Sequence, residues 1–432
     1  MARSATEILT VVEGLTHLAL IWGGVYIAGY LANKTKLTPV LYFLAFGCLM
    51  VNIGWLPVET TAFIQGFAEV GIILIMFALG FEESTDNFLK TIKRAWGIAF
   101  FGALVPFTIA YSVAVYFWHD RNMAILVGLA MTATAVSLTM VSLKAEGLQS
   151  SRVATGIMTS AVLDSIASLA LVAILLPLAL GGGGLSAAEI GIVVLKALAF
   201  FVVIAVIGGW LFPHDMRHSV MRNVPFLKSY GVRHFLAVGS GEHATLAMLL
   251  LAVTIGILAH FFGLHPAIGA YMAGLILKEE YFRLTENNDT QMYQNNKRII
   301  DNVAFSWIGP VFFVGLGAKL VFEWSTVVAV IPETLVLTAG LIIGQITSAA
   351  LAARYTAGFT FAEAMMVGFG MLGRAELAFV VMDIAYVEHS IFTKEAFYTL
   401  MITAFWLNLA VPVTIKLWKP YFLAAQASGR GG

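Results

Sequence analysis

The chain of 432 residues balances 25 Lys and Arg against 25 Asp and Glu, and only 12% of its residues are charged against 59% hydrophobic. A soluble protein of this length needs far more charge to cover its surface, so the composition excludes one and describes a polytopic membrane protein. Zero net charge gives no basic excess for nucleic acid, and a single cysteine, Cys48, rules out an intrachain disulfide.

Apolar runs long enough to cross a hydrocarbon core, about 20 residues each, predict an all-α fold of thirteen transmembrane helices. Spans 1 to 3 cover residues 8–32, 38–56 and 61–81. The amino terminus carries Arg3, Glu7 and Glu13 without a small-residue cleavage site, and reads as a first membrane helix rather than a removable signal. Glu69 lies inside span 3, where an acid needs a partner; Arg374 is the first expectation, with Lys196 second because its long stem can snorkel to the interface. Spans 4 and 5 cover 95–118 and 122–143. Span 5 holds Thr132, Thr134, Ser137 and Thr139, a hydroxyl run that either back-bonds within an intact helix or marks an unwound one.

Span 6, residues 153–180, contains one acid, Asp164, and no Lys or Arg. A carboxylate at mid-membrane depth costs roughly 2.5 to 3.5 kcal/mol on insertion scales, so such a residue faces a bundle interior or a wet cavity and handles protons or cations. Gly181 to Gly184 form a turn, and span 7 covers 187–212. The polar stretch 213–241 reads as a cytoplasmic connector, and 278–302 as a cytoplasmic hairpin. Spans 8 and 9, at 242–262 and 264–278, abut across Gly263 and His265. Spans 10 to 13 cover 303–322, 328–353, 361–386 and 396–418, and the twelfth reads VGFGMLGRAELAFVV, with Gly368, Gly370, Gly373, Arg374 and Glu376.

Nineteen of the 25 Lys and Arg fall in one alternate set of segments, four (Arg3, Arg121, Lys319 and Lys394) in the other, and Lys196 and Arg374 inside spans. By the positive-inside rule the amino terminus is outside and the carboxyl terminus in the cytoplasm. If span 7 is a linker, spans 1 to 6 and 8 to 13 form two inverted six-helix repeats. Spans 5 and 12 then correspond, and two interrupted segments in matching positions are the best sequence pointer to a transporter's midplane site.

In this order, the pieces AEVGIILIMFALGFEE, TATAVSLTMVSL, SAVLDSIASLALVAIL, GLHPAIGAYMAGLIL, GPVFFVGLGAKL and GMLGRAELAF resemble the monovalent cation:proton antiporter-2 family, of the sodium/proton and potassium/proton exchanger superfamily, over nearly the whole chain. The resemblance implies crossed discontinuous helices and elevator-type alternating access in a homodimer of the cell (inner) membrane, serving pH homeostasis. It implies a dimerisation domain from 1–94 and 242–327, a core ion-transport domain from 95–186 and 328–422, a linker helix and connector at 187–241, and a cytoplasmic tail at 423–432. Family members usually carry two adjacent polar residues in the sixth helix, the second being the main ion-binding acid. Ungapped alignment puts Asp164 first and Ser165 second; a one-residue slip puts Leu163 first and Asp164 second, with Ser160 one turn earlier. Electrogenic relatives have a base about nine residues before the Arg that ends the eleventh helix; counting back from Arg354 reaches Gln345, which can hydrogen-bond Asp164.

One carboxylate that alternately holds a proton or a cation gives one-for-one, electroneutral exchange of Na+ or K+ for H+. Asp164 is the expected cation and proton ligand, and Thr132, Thr134 and Ser137, with Ser160 or Ser165, the oxygen ligands suited to a hard cation. Glu69, Arg374, Glu376 and Lys196 are expected in structural roles or ion pairs, and Gln345 in a structural hydrogen bond. Alternatives are a cation uniporter, a gated potassium efflux subunit with a separate cytoplasmic regulator, and a non-transporting receptor or assembly subunit. No nucleophile with a base, no metal-ligand cluster and no G-x-G-x-x-G motif is visible, so neither an enzyme nor a cofactor is expected.

Overall fold

Helix formation follows from the apolar runs, since in a bilayer the backbone must satisfy its own polar groups. A computed structural model describes residues 2–35, 37–82, 85–135, 138–139, 142–143, 146–148, 151–180, 187–208, 236, 243–282 and 289–427. The turn expected at 181–184, and the connector expected at 213–241 apart from Leu236, lie outside these residues.

The helices are α1 Ala2–Thr35, α2 Pro39–Asn52, α3 Ala62–Glu82, α4 Thr85–Trp118, α5 Arg121–Ala130, α6 Arg152–Leu180, α7 Ala187–Val206 and α8 Ala244–Phe261. They continue with α9 Pro266–Leu275, α10 Asp289–Asn302, α11 Gly309–Gly317, α12 Trp324–Ala329, α13 Ile331–Thr356, α14 Phe361–Gly370, α15 Glu376–Asp383 and α16 Lys394–Ala427. Among the described residues, seven helices are long and apolar enough to cross a bilayer. Several of the thirteen expected spans are shorter, α2, α5 and α14 among them, and in spans 5 and 12 the cause is a break within the apolar run. Within the segment 278–302, expected as a hairpin, the described residues form a 3-10 turn at Glu279–Phe282 and the helix α10, which runs through a π turn at Val303–Trp307 toward α11; residues 283–288 between them lie outside the described set. The apolar stretch long enough to cross a bilayer, taken with this continuous helical run, covers Met292–Gly317.

The chain divides into two compact units. The first comprises Met1–Val25, Glu59–Thr85 and Ser186–Gly315. Its core is α3 against α9, and α9 against α8. A Cβ on Gly80 would lie 2.0 Å from the Tyr271 carbonyl oxygen, and one on Gly274 would lie 2.3 Å from that of Phe77. Small residues thus let the two backbones meet, which is how membrane helices gain packing energy where lipid offers no hydrophobic drive. The turn from α8 to α9 uses Gly263 at φ 77°, Pro266 at the first helical position and the His265 ring, whose Nδ1 accepts from the Ala267 amide at 3.2 Å. Gly80→Val is expected to cost about 3 kcal/mol or more, because the new side chain meets backbone that cannot give way. A detergent melting temperature equal to that of the native chain would show that the contact does not bear on stability.

The second unit comprises Tyr26–Val58, Asp86–Leu185 and Leu316–Gly432. At one end Arg152, at the start of α6, reaches the Gly358 carbonyl at 3.1 Å, Glu363 at 3.7 Å and the Phe359 ring at 4.8 Å. Glu363 also closes a capping box with Thr360 at the start of α14. At the other end Lys394 pairs with Glu323 at 2.7 Å, and the Tyr398 hydroxyl donates to the Val321 carbonyl. The Lys394 bond, with one from Thr326, holds the Glu323 carboxyl below its usual range. So α6 begins where α13 ends. Helices α13 and α16 run parallel: Thr338 and Thr403 meet at 3.2 Å, and further along Gln345 and Asn408 both bond Arg374.

Candidate functional site

Two helices of the second unit stop in mid-run and their unwound ends cross. Helix α5 starts on an Asp120 cap, whose carboxylate accepts from the Asn122 and Met123 amides at 2.8 and 3.0 Å, and stops at Ala130. Helix α14 stops at Gly370, and α15 starts at Glu376. Between these ends Thr134 and Arg374 form an isolated antiparallel bridge: the Ala135 amide donates to Gly373 O at 3.0 Å, and the Ala375 amide to Ala133 O at 3.2 Å. Each break thereby satisfies backbone groups of the other, which is what allows irregular chain at membrane depth. Two further side chains complete the junction. The Thr139 hydroxyl donates to Gly370 O at 2.6 Å, and Asn408 Oδ1 accepts from the Arg374 amide at 2.9 Å.

Asp164, fully buried on α6, points at this crossing. Its Oδ2 accepts from both the amide and the hydroxyl of Thr134, at 3.1 and 2.7 Å. A regular helix would have used that amide internally; the break in α5 frees it for the carboxylate. Oδ1 has no hydrogen-bond partner. The Arg374 side chain, 2% exposed, lies in the same interior and attracts Asp164 through space. Nη2 donates to Gln345 Oε1 at 3.3 Å, whereas Nε and Nη1 are unpartnered. Gln345 in turn donates to Gly102 O at 3.3 Å. The hydroxyls of Ser160 and Ser168, one turn to either side of Asp164, are also buried without partners.

An unpartnered buried polar atom costs about 1–3 kcal/mol, so each one asks for a ligand or an ordered water. Here one carboxylate oxygen is held by two donors and its twin is unpartnered, with unpartnered hydroxyls one helical turn to either side. That set accepts a proton or a hard monovalent cation.

The sequence expectations fare unevenly. Thr134, Asp164, Arg374, Gln345 and Ser160 do come together, but Gln345 bonds Arg374 and Gly102 rather than Asp164. The Thr132 hydroxyl turns back to Gly128 O at 2.7 Å, the local alternative always open to a helical threonine. Glu69 is exposed, on the face of α3 that also exposes Gln65 and Gly66, while Ile72, Ile75 and Met76 are buried. Lys196 is exposed on α7, and Glu376 is half-buried in the first turn of α15, where an acid suits the helix dipole. Ser137 and the Ser165 side chain lie outside the described residues. Sequence reading passed over Asn408 and Ser168. A lone Asn in an apolar run, and a Ser four residues after the critical acid, were the available signals.

The family described as sodium/hydrogen exchanger, transmembrane, matches residues 23–418. The Na(+)/H(+) antiporter of Enterococcus hirae is 24% identical over 411 residues, covering 94% of this chain and 97% of its own length. The Na(+)/H(+)-K(+) antiporter GerN of Bacillus cereus is 24% identical over 406 residues, covering 94% of this chain and 96% of its own. In fold, the chain resembles the sodium proton antiporter MjNhaP1 from Methanocaldococcus jannaschii at pH 8, with a TM-score of 0.65 at 16% identity over 94% of this chain and 100% of that one. With its helices broken and crossed at a buried acid, and a match that spans most of its length, the chain belongs to the transmembrane sodium/hydrogen exchanger family, a family of transporters rather than enzymes.

Proposed function

We propose that the protein exchanges Na+ or K+ for H+ one for one at Asp164. The observation that carries this is the asymmetry of the carboxylate: Oδ2 is fixed by Thr134, and Oδ1 is buried and unpartnered. A proton and a cation compete for that oxygen, and the occupied site carries the same charge with either. Thr134 bonds Asp164 and Ser160 stands one turn before it on the same helix; with Thr132, Ser137 and Ser165 they make up the expected set of oxygen ligands. The names of the two bacterial relatives support sodium in both cases and potassium in one. The matching breaks in spans 5 and 12 support an inverted repeat. Alternating access is elevator-type, in a homodimer of the cell membrane with the amino terminus outside.

Arg374 is a permanent cation, since a guanidinium does not deprotonate in proteins, and Gln345 has no charge to trade. Asp164 is then the one group of this cluster that changes charge during the cycle. Exchange is therefore electroneutral. In proteoliposomes, adding sodium or potassium should drive proton movement, and the ion gradients reached should be the same with or without an imposed potential. A potential of 100 mV changes the driving force by ~2.3 kcal/mol per net charge moved. Gradients that follow the potential would mean a second coupled charge; no proton movement with either ion would remove exchange altogether.

A further inference from the structure

Ser168 has no place in the exchange reading so far, yet it is 1% exposed and its hydroxyl has no partner. The ordinary fate of a buried hydroxyl on a helix is to bond the carbonyl one turn back. Ser142 does this toward Leu138 O at 2.8 Å, and Thr414 toward Ala410 O at 2.7 Å. Ser160 and Ser168 do not. They stand four residues before and four after Asp164, so the three side chains share one face of α6, spaced about 6 Å apart along the axis. All three present an unpartnered oxygen on that face: Ser160 Oγ, Asp164 Oδ1 and Ser168 Oγ.

The crossing of the broken helices meets this file at its middle, since Thr134 of the unwound segment bonds Asp164. Ser160 therefore lies on the Arg152 side of the crossing and Ser168 on the opposite side, toward the end where α13 and α16 begin. Lys and Arg mark the Arg152 end as cytoplasmic. A cation arriving from either face must shed water before it reaches Asp164, and a hydroxyl one turn away replaces part of the lost shell. Ser168 stands on the outer side of the crossing, so it meets an ion arriving from that face before Asp164 does and acts in the state open to its own face.

We propose that Ser168 is the outer approach ligand for the transported monovalent cation, so that it sets cation affinity at the outer membrane face. This deepens the exchange reading and rests on it. The test measures proton flux against sodium concentration in right-side-out and everted vesicles carrying the full-length chain. Ser168→Ala should raise the sodium KM roughly three- to tenfold at the outer face, the weight of one hydrogen bond to a charged group, and leave the cytoplasmic face unchanged. Ser160→Ala, at a ligand of the central site, should instead raise the KM at both faces, and Ser168→Thr should restore the native value. Equal shifts at both faces would mean that the hydroxyl merely steadies Asp164, and would overturn the proposal, as would no shift at either face. Asp164→Asn in the same vesicles reports separately on exchange: if it is inactive at both faces while Ser168→Ala shows no sidedness, only the approach ligand is wrong.

Discussion

Asp164→Asn should reduce cation-driven proton movement to the background of empty proteoliposomes while leaving the protein folded. The amide has nearly the shape of the carboxylate, and its oxygen still accepts from the Thr134 amide and hydroxyl, now at 3.1 and 2.7 Å. No hydrogen bond to Arg374 is lost, because none is present. What disappears is the ability to bind and release a proton, and with it the competition on which exchange depends. Detergent melting within ~1 kcal/mol of the native chain, together with absent flux, is the expected pair of results. Undiminished flux would take Asp164 out of the mechanism.

Arg374→Ala should act in the opposite order, lowering stability before it tells anything about transport. The side chain is among the largest that are fully buried, so its loss leaves a cavity, an unpaired Gln345 oxygen and an Asp164 carboxylate deprived of its through-space partner. Removing one member of a buried charged pair costs ~3 to 5 kcal/mol. The penalty should be smaller in acid, where Asp164 can take up a proton and stop being an uncompensated charge, and larger in alkali, where it cannot. Melting across that range checks the sign. A loss of stability independent of pH would reduce Arg374 to a packing role, and a fully stable but inactive variant would point to direct participation in transport. Arg374→Lys keeps the charge but gives up the planar fork that reaches Gln345, so an intermediate loss is expected.

Much of the site could be read from residue type and depth. An acid alone in an apolar run has few reasons to be there, and the paired hydroxyl and glycine interruptions in spans 5 and 12 pointed to unwound backbone before any coordinates. The same local logic does not reach orientation. Glu69 was expected to need a partner, with Arg374 first and Lys196 second, and both Glu69 and Lys196 are exposed in this chain; hydropathy does not record which side of a helix meets the interior. Thr132 and Thr134 are two residues apart with identical side chains; one bonds its own helix and the other bonds Asp164.

Membrane residence, helical structure, an isolated acid at Asp164 and the candidate interruptions in spans 5 and 12 were all legible in the residues alone. These are properties of composition, periodicity and single side chains, each fixed within about one helical turn. The folded chain alone reveals that the interruptions complete each other through the Thr134 and Arg374 bridge, that Gln345 and Asn408 accept from Arg374, and that Ser168 is buried without a partner. The physical reason is that a broken helix is satisfied by whatever backbone lies across from it. Thr134 and Arg374 are separated by 240 positions in the chain, and nothing local to either records the meeting.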